Sequence, residues 1–158
     1  MLYRQTSLAE FMPYRLSVTS NAVSDLIAGE YRAQFGLKIS EWRIMAVLGD
    51  AGALTQRQLV AATLMDKVAV NRACKVLGGR ELIARIPNAS DGRSHHLQLT
   101  PDGLTMHSQI MPLAVDMYEQ VFACLTTRET DKLRGILAKL LDSVRSFADL
   151  NKNGGGPK

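Results

Sequence analysis

Asp66 to Arg80 reads DKVAVNRACKVLGGR, and the fold turns on how this stretch is read. Asp66 is suited to cap a helix, because its carboxylate can accept from the unpaired N–H groups of a first turn. Val70, Ala73 or Cys74, and Leu77 recur at helical spacing and give the segment one narrow apolar stripe. Lys67, Asn71, Arg72 and Lys75 lie mostly off that stripe. A helix of this kind rests small residues on a core and turns amide and guanidinium groups outward, the donor chemistry that base edges and phosphates require. The expectation is a helix that enters a DNA major groove.

Immediately upstream, Thr55 and Gln58 form a capping-box pair that opens another short helix, with Leu59, Val60 and Ala62 on its inner face. Thr63-Leu64-Met65 then turns the chain into the Asp66 helix. Two helices joined by a tight turn, the second one basic, are the sequence image of a helix-turn-helix, although short helical pairs also occur in folds that never touch DNA. Downstream, Leu82 to Pro87 and His95 to Thr100 read as short strands, with alternation clearest at Leu97 and Leu99. The polar loop between them, Asn88 to Ser94, has Asp91-Gly92 turn chemistry and carries Arg93. Helix, turn, helix and hairpin in this order make a winged helix lobe.

Outward from the lobe the chain reads as helix. Leu8 to Phe35 is expected to form a long helix whose regular part begins near Pro13 and which Gly36 closes. Ser40 is expected to cap a helix from Glu41 to Leu48, with Trp42, Ile44, Met45, Val47 and Leu48 mainly as core and Gly49 and Gly52 making the turn. Thr100 caps a helix with Pro101 in its first position; it is expected to run to about Leu125, with a bend at Pro112. The last helix, opened by Thr126 to Glu129, has the cleanest apolar stripe: Leu133, Ile136, Leu137, Leu140, Leu141, Val144 and Phe147. NKNGGGPK, residues 151–158, reads as a flexible tail. The fold class is therefore mainly α with a small β-hairpin wing, organised as a winged helix-turn-helix lobe over 37–100 and a helical region over 8–36 and 101–148. The apolar surplus of the terminal helices serves either an intramolecular core or a dimer interface.

Composition sets the boundaries of this reading. The chain has 158 residues, of which 46% are apolar and 22% charged, an ordinary balance for a soluble globular protein. No run approaches the roughly 18 uncharged apolar residues of a membrane span, and the N-terminal MLYRQTSLAEF lacks a signal peptide's layout, so a cytoplasmic location is expected. Net charge is +4; Thr55 to Thr100 hold seven Lys or Arg against three acids, and the other residues carry twelve of each sign. All the excess positive charge belongs to the middle of the chain, which suits a polyanion.

No paired carboxylates, nucleophile-and-base set, phosphate loop or metal cluster stands out, so no enzyme and no cofactor is expected. His95 and His96 are neighbours on a strand and face opposite ways, and His107 has no helical ligand partner, which argues against a metal. Cys74 and Cys124, with no CxxC spacing, read as buried thiols.

The ordered set of segments resembles the multiple antibiotic resistance regulator (MarR) family of dimeric winged helix transcription regulators. The resemblance is carried by Ser40 to Leu48, by Leu54-Thr55-Gln56-Arg57-Gln58-Leu59 and by the Asp66 helix. It continues through Leu82-Ile83-Ala84-Arg85, Asp91-Gly92-Arg93 and Leu97 to Gly103. It implies that Lys67, Val68, Asn71, Arg72 and Lys75 meet the major groove, and that Arg93, held by Asp91, enters the adjacent minor groove. A narrow minor groove independently favours an inserted guanidinium. Ser94 stands where the family often has a second arginine, and Val68 and Ala69 replace common hydroxyl residues, which allows apolar contact with a thymine methyl.

The resemblance further implies that the terminal helices interleave with those of a second copy, setting two recognition helices about one DNA turn apart, roughly 34 Å, on a pseudo-palindromic operator. It also implies a pocket for a small aromatic or phenolic acid, with Tyr14, Arg15, Trp42, Arg43, Met45, Met65, His107 and Met111 as lining candidates; an ordinary core with snorkelling arginines explains each residue equally well. The functional expectation is a homodimeric, sequence-specific DNA-binding regulator, a repressor released by such an acid. The alternative is a winged-helix protein-interaction module without specific DNA binding.

Overall fold

The computed structural model describes residues 7–87 and 95–153. Their order is α1 (Met12–Phe35), α2 (Ile39–Ala51), β1 (Leu54–Thr55), α3 (Gln56–Thr63), α4 (Lys67–Gly79), β2 (Ile83–Pro87), β3 (His95–Leu99), α5 (Pro101–Phe122) and α6 (Thr127–Asn153). By contacts the chain divides into two compact units, Met1–Tyr118 and Glu119–Lys158.

In the first unit a 3-10 turn over Leu8–Glu10 precedes α1, which begins at Met12 with Pro13 in its first turn, where the missing N–H costs nothing. Gly36 ends α1 in the left-handed region at φ 63°, its N–H bonded to the Arg32 carbonyl at 3.0 Å. The start of α2 corrects the expectation. The helix begins at Ile39 with Lys38 as its cap, not at Ser40, because the Glu41 carboxylate reaches back to accept from the Lys38 N–H at 2.9 Å. The helix also continues to Ala51, so Gly49 lies inside it and Gly52 closes it.

The two capping interactions of the helix-turn-helix form as expected. Gln58 Oε1 accepts from the Thr55 N–H at 2.8 Å and Thr55 Oγ1 from the Gln58 N–H at 3.2 Å. Asp66 Oδ1 accepts from the Ala69 N–H at 2.8 Å. Between the helices the chain reverses at Leu64, which sits in the left-handed region at φ 53°.

The wing strands pair antiparallel, Ile83 opposite Leu99 and Arg85 opposite Leu97. A third strand that the sequence reading missed, β1, joins the outer side of β3 with Leu54 opposite Leu97, giving the order β1-β3-β2. Leu97 and Leu99 turn inward, and Gln98 between them is exposed. They meet a core built from Ile44, Met45 and Leu48 of α2, Leu59 of α3, and Val70, Ala73, Cys74 and Leu77 of α4; Ala28, Tyr31 and Ile110 belong to the same cluster. The helix after the wing starts as read: Thr100 Oγ1 accepts from the Gly103 N–H at 3.0 Å. It runs through Pro112 without interruption to Phe122 and stops short of Leu125, because Ala123 to Leu125 form a turn.

In the second unit Thr126 and Glu129 cap α6 reciprocally, Glu129 Oε2 accepting from the Thr126 N–H at 2.8 Å and Thr126 Oγ1 from the Glu129 N–H at 3.3 Å. These bonds to the Thr126 backbone and hydroxyl hold the Glu129 carboxyl below its usual range. The helix runs to Asn153, so residues 151–153 belong to it and not to a tail. Among its residues with described burial, 127–150, none is buried. Cys124 lies in the turn before α6 and is exposed, against the expectation of a second buried thiol; Cys74 is buried, and burial raises its thiol pKa. Among the described residues no helix is long and apolar enough to cross a membrane.

Candidate nucleic-acid interface

The packing of α4 sorts its residues sharply. Val70, Ala73, Cys74 and Leu77 are buried, while Lys67, Val68, Asn71, Arg72 and Lys75 are exposed. Val68 is 65% exposed although it is apolar. One helix face thus offers two lysines, an arginine, a carboxamide and an uncovered methyl pair, which together can neutralise phosphates, donate to base edges and touch a thymine methyl. Gln56, Arg57, Val60 and Lys67 line a hollow of about 280 Å³ where α3 meets the start of α4. Gln56 Nε2 donates to Asn71 Oδ1 at 3.2 Å across the two helices. Asp91 and Arg93, the expected wing residues, lie outside the described residues.

Arg80 has a structural task. Its guanidinium donates to the carbonyls of Phe35 at 2.8 Å and Gly36 at 3.3 Å, tying the end of α4 to the end of α1. Arg85 lies close enough to Cys74 for its charge to oppose part of the burial effect on the thiol.

Of the eight residues expected to line a ligand pocket, Arg43 and Met65 share one described cleft and Trp42 stacks on His107. Met45 is fully buried in the core cluster. Trp42, 8% exposed, is also core; it packs between Tyr31 and His107, with ring centroids 5.6 Å and 5.5 Å away. Tyr14, Arg15 and Met111 are exposed and none of them lines the cleft that does form. That open cleft, about 630 Å³, joins Arg43 and Met65 to Arg32, Lys38, Ile39 and Ser40.

Sequence reasoning missed Arg32 and Lys38, since only the fold of α1 against α2 places them beside Arg43. Among the described residues, none of these three cations has a carboxylate within ion-pair distance. Burial raises the hydroxyl pKa of neighbouring Tyr31, and the charges of Arg32 and Arg43 oppose that rise. The cleft thus combines three cationic side chains with the apolar Ile39 and Met65.

His107 stacks on Trp42 at an interplanar angle of 30° and fills the space that a Cβ on Gly49 would occupy. Burial lowers its pKa from 6.5, so the native state favours the neutral ring. The unfolded chain therefore takes up a proton near pH 6.5 that the native state resists. Stability contributed above that pH is lost as pH falls from 6.5 through the lowered native value. The urea midpoint is expected to drop further between pH 7.5 and 5.5 in the parent than in His107→Phe; equal drops would clear His107 of this role. Among the described residues, no group of three or more His, Cys, Asp or Glu could hold a metal ion.

The chain matches the model of the MarR family over residues 35–94. It resembles a probable transcriptional regulator from Pseudomonas aeruginosa, at 28% identity over 85% of this chain and 99% of that one, with a TM-score of 0.73. A mutant of E. coli MarR solved with operator DNA is 24% identical over 85% and 97% of the two chains, with a TM-score of 0.73. The third is Bordetella bronchiseptica BpsR, from work on regulation of its DNA binding by 6-hydroxynicotinic acid; it is 23% identical over 86% and 96%, with a TM-score of 0.77. No curated protein sequence matches the chain. The winged helix order, the outward face of α4 and these likenesses agree: the fold is that of the MarR winged helix regulators, and residues 35–94 match the model of that family.

Proposed function

We propose that the protein is a homodimeric, sequence-specific repressor whose DNA affinity is lowered by a small aromatic or phenolic acid. The observation that carries the DNA half is the exposure of Lys67, Val68, Asn71, Arg72 and Lys75 on one face of a capped, well-seated helix. On this reading α4 lies in the major groove, with Arg93, steadied by Asp91, in the minor groove beside it. Residues 8–36 and 101–148 form the dimerisation region and residues 37–100 the DNA-binding lobe, and the protein works in the cytoplasm. The related Bordetella protein, regulated by 6-hydroxynicotinic acid, supports an acidic effector. Here the carboxylate is taken by Arg43 with Arg32 and Lys38, and the ring lies against Ile39 and Met65.

The test is binding to the DNA upstream of the protein's own gene. Affinity is expected to fall by about a thousandfold between 50 and 200 mM salt, as counterions leave the phosphates. Arg72→Ala and Arg93→Ala are each expected to weaken it by roughly tenfold or more without changing the fold. Parent-like binding by both variants at moderate salt would remove these two residues from the interface. A parent that retards no DNA but retains a protein partner in a pull-down would favour an interaction module. Aromatic acids are expected to raise the melting temperature of the parent and not that of Arg43→Ala; a screen in which no acid shifts the parent would sink the effector half alone.

A further inference from the structure

We infer that Gln56 is a positioning residue for sequence reading: by donating to Asn71 it fixes that carboxamide so that the Asn71 amide group faces the base edges. The inference rests on the DNA reading above and assigns its selectivity to a pair of residues on two helices. Both ends of the pair are held by local structure. Gln56 is the first residue of α3, inside the Thr55–Gln58 capping box, and is half-buried. Asn71 lies one turn beyond Lys67 on the exposed face of α4, a helix fixed by the Asp66 cap and by Val70 and Ala73 in the core. The bond runs from Gln56 Nε2 to Asn71 Oδ1 at 3.2 Å.

The chemistry follows from what a carboxamide has to offer. A free asparagine can rotate its side chain and present either its carbonyl or its amide to a base, and it reads adenine by using both at once. With Oδ1 engaged by Gln56, one acceptor lone pair of Asn71 is occupied and its plane is set, which leaves the two Nδ2 hydrogens as the outward groups. The pair is therefore matched to a base-pair edge rich in acceptors, such as guanine N7 and O6 or thymine O4, over one that presents a donor. Fixing the group before DNA arrives also removes the rotamer entropy that binding would otherwise have to overcome. Gln56 carries no charge, so its contribution appears in selectivity and not in the salt-dependent attraction to phosphate.

The experiment is a base-preference profile: binding of the full-length protein to its upstream site with every single base-pair substitution, for the parent, Gln56→Ala, Asn71→Ala and the double variant. Asn71→Ala identifies the base pair that this residue reads. Gln56→Ala is expected to relax preference at that same base pair by roughly five- to tenfold, with an unchanged salt slope and unchanged dimer mass. The double variant is expected to lose little beyond Asn71→Ala alone, because the two residues act as one unit. A Gln56→Ala profile that matches the parent at the Asn71 position, or effects that simply add in the double variant, would overturn the inference while leaving the DNA reading intact. A parent without base preference anywhere would instead overturn the DNA reading itself.

Discussion

Gly103→Ala is expected to destabilise the protein by about 3 kcal/mol, as overpacking against a fixed neighbour does. At this chain length that lowers the melting temperature by roughly 6–12 °C. Gly103 is in the first turn of α5, where the helix passes directly over the chain entering the wing. A Cβ there would overlap the carbonyl oxygen of Leu82 and stand 3.0 Å from its carbon and 3.3 Å from Leu99 Cδ2. The neighbour is backbone, so no rotamer change relieves the clash. The same carbonyl accepts from the Thr100 N–H at 3.1 Å, and displacing it would also break the bond that joins the wing to the start of α5. A thermal melt that moves by less than about 2 °C would mean that the helix can lift off the strand at little cost, contrary to how tightly the two are seated.

Replacing Leu137 and Leu140 together by glutamate is expected to convert the protein to a monomer in sedimentation velocity and to weaken operator binding by more than about a hundredfold, since one lobe then grips one half-site. Ile136, Leu137, Leu140, Val144 and Phe147 follow one another at helical spacing along α6, and within the chain each is between 44% and 66% exposed. In the homodimer proposed above, this stripe is the surface that the second copy covers. Glutamate is a good helix former, so the helix itself should survive and circular dichroism should barely change. A dimer of unchanged mass would assign the pairing to another face.

The legible parts of the fold were those whose cause is local. The caps at Thr55 and Asp66 span only three residues each, and the burial stripe of α4 is a matter of spacing along one helix, so both could be read directly. The start of α2 was misplaced because Ser40 looked like the cap, whereas the backward reach of Glu41 begins the helix two residues earlier than the Glu41 start expected from the sequence. The reversal between α3 and α4 uses Leu64 where a glycine would have announced a left-handed turn. The two-residue β1 exists only because β3, some forty positions later, supplies its pairing. The candidate DNA face was visible for the same local reasons as α4. The cationic cleft was not, because Arg32 comes from α1 and Lys38 and Arg43 from the start of α2, and only the packing of the two helices brings them together.

The fork from Arg80 to the carbonyls of Phe35 and Gly36 has a mechanical meaning. It pins the tail of the reading helix to the foot of α1, beside the cleft to which Arg32 contributes. The two helices then share a common pivot at that end. A change that displaces that end of α1 therefore acts on the last turn of α4 through a single guanidinium.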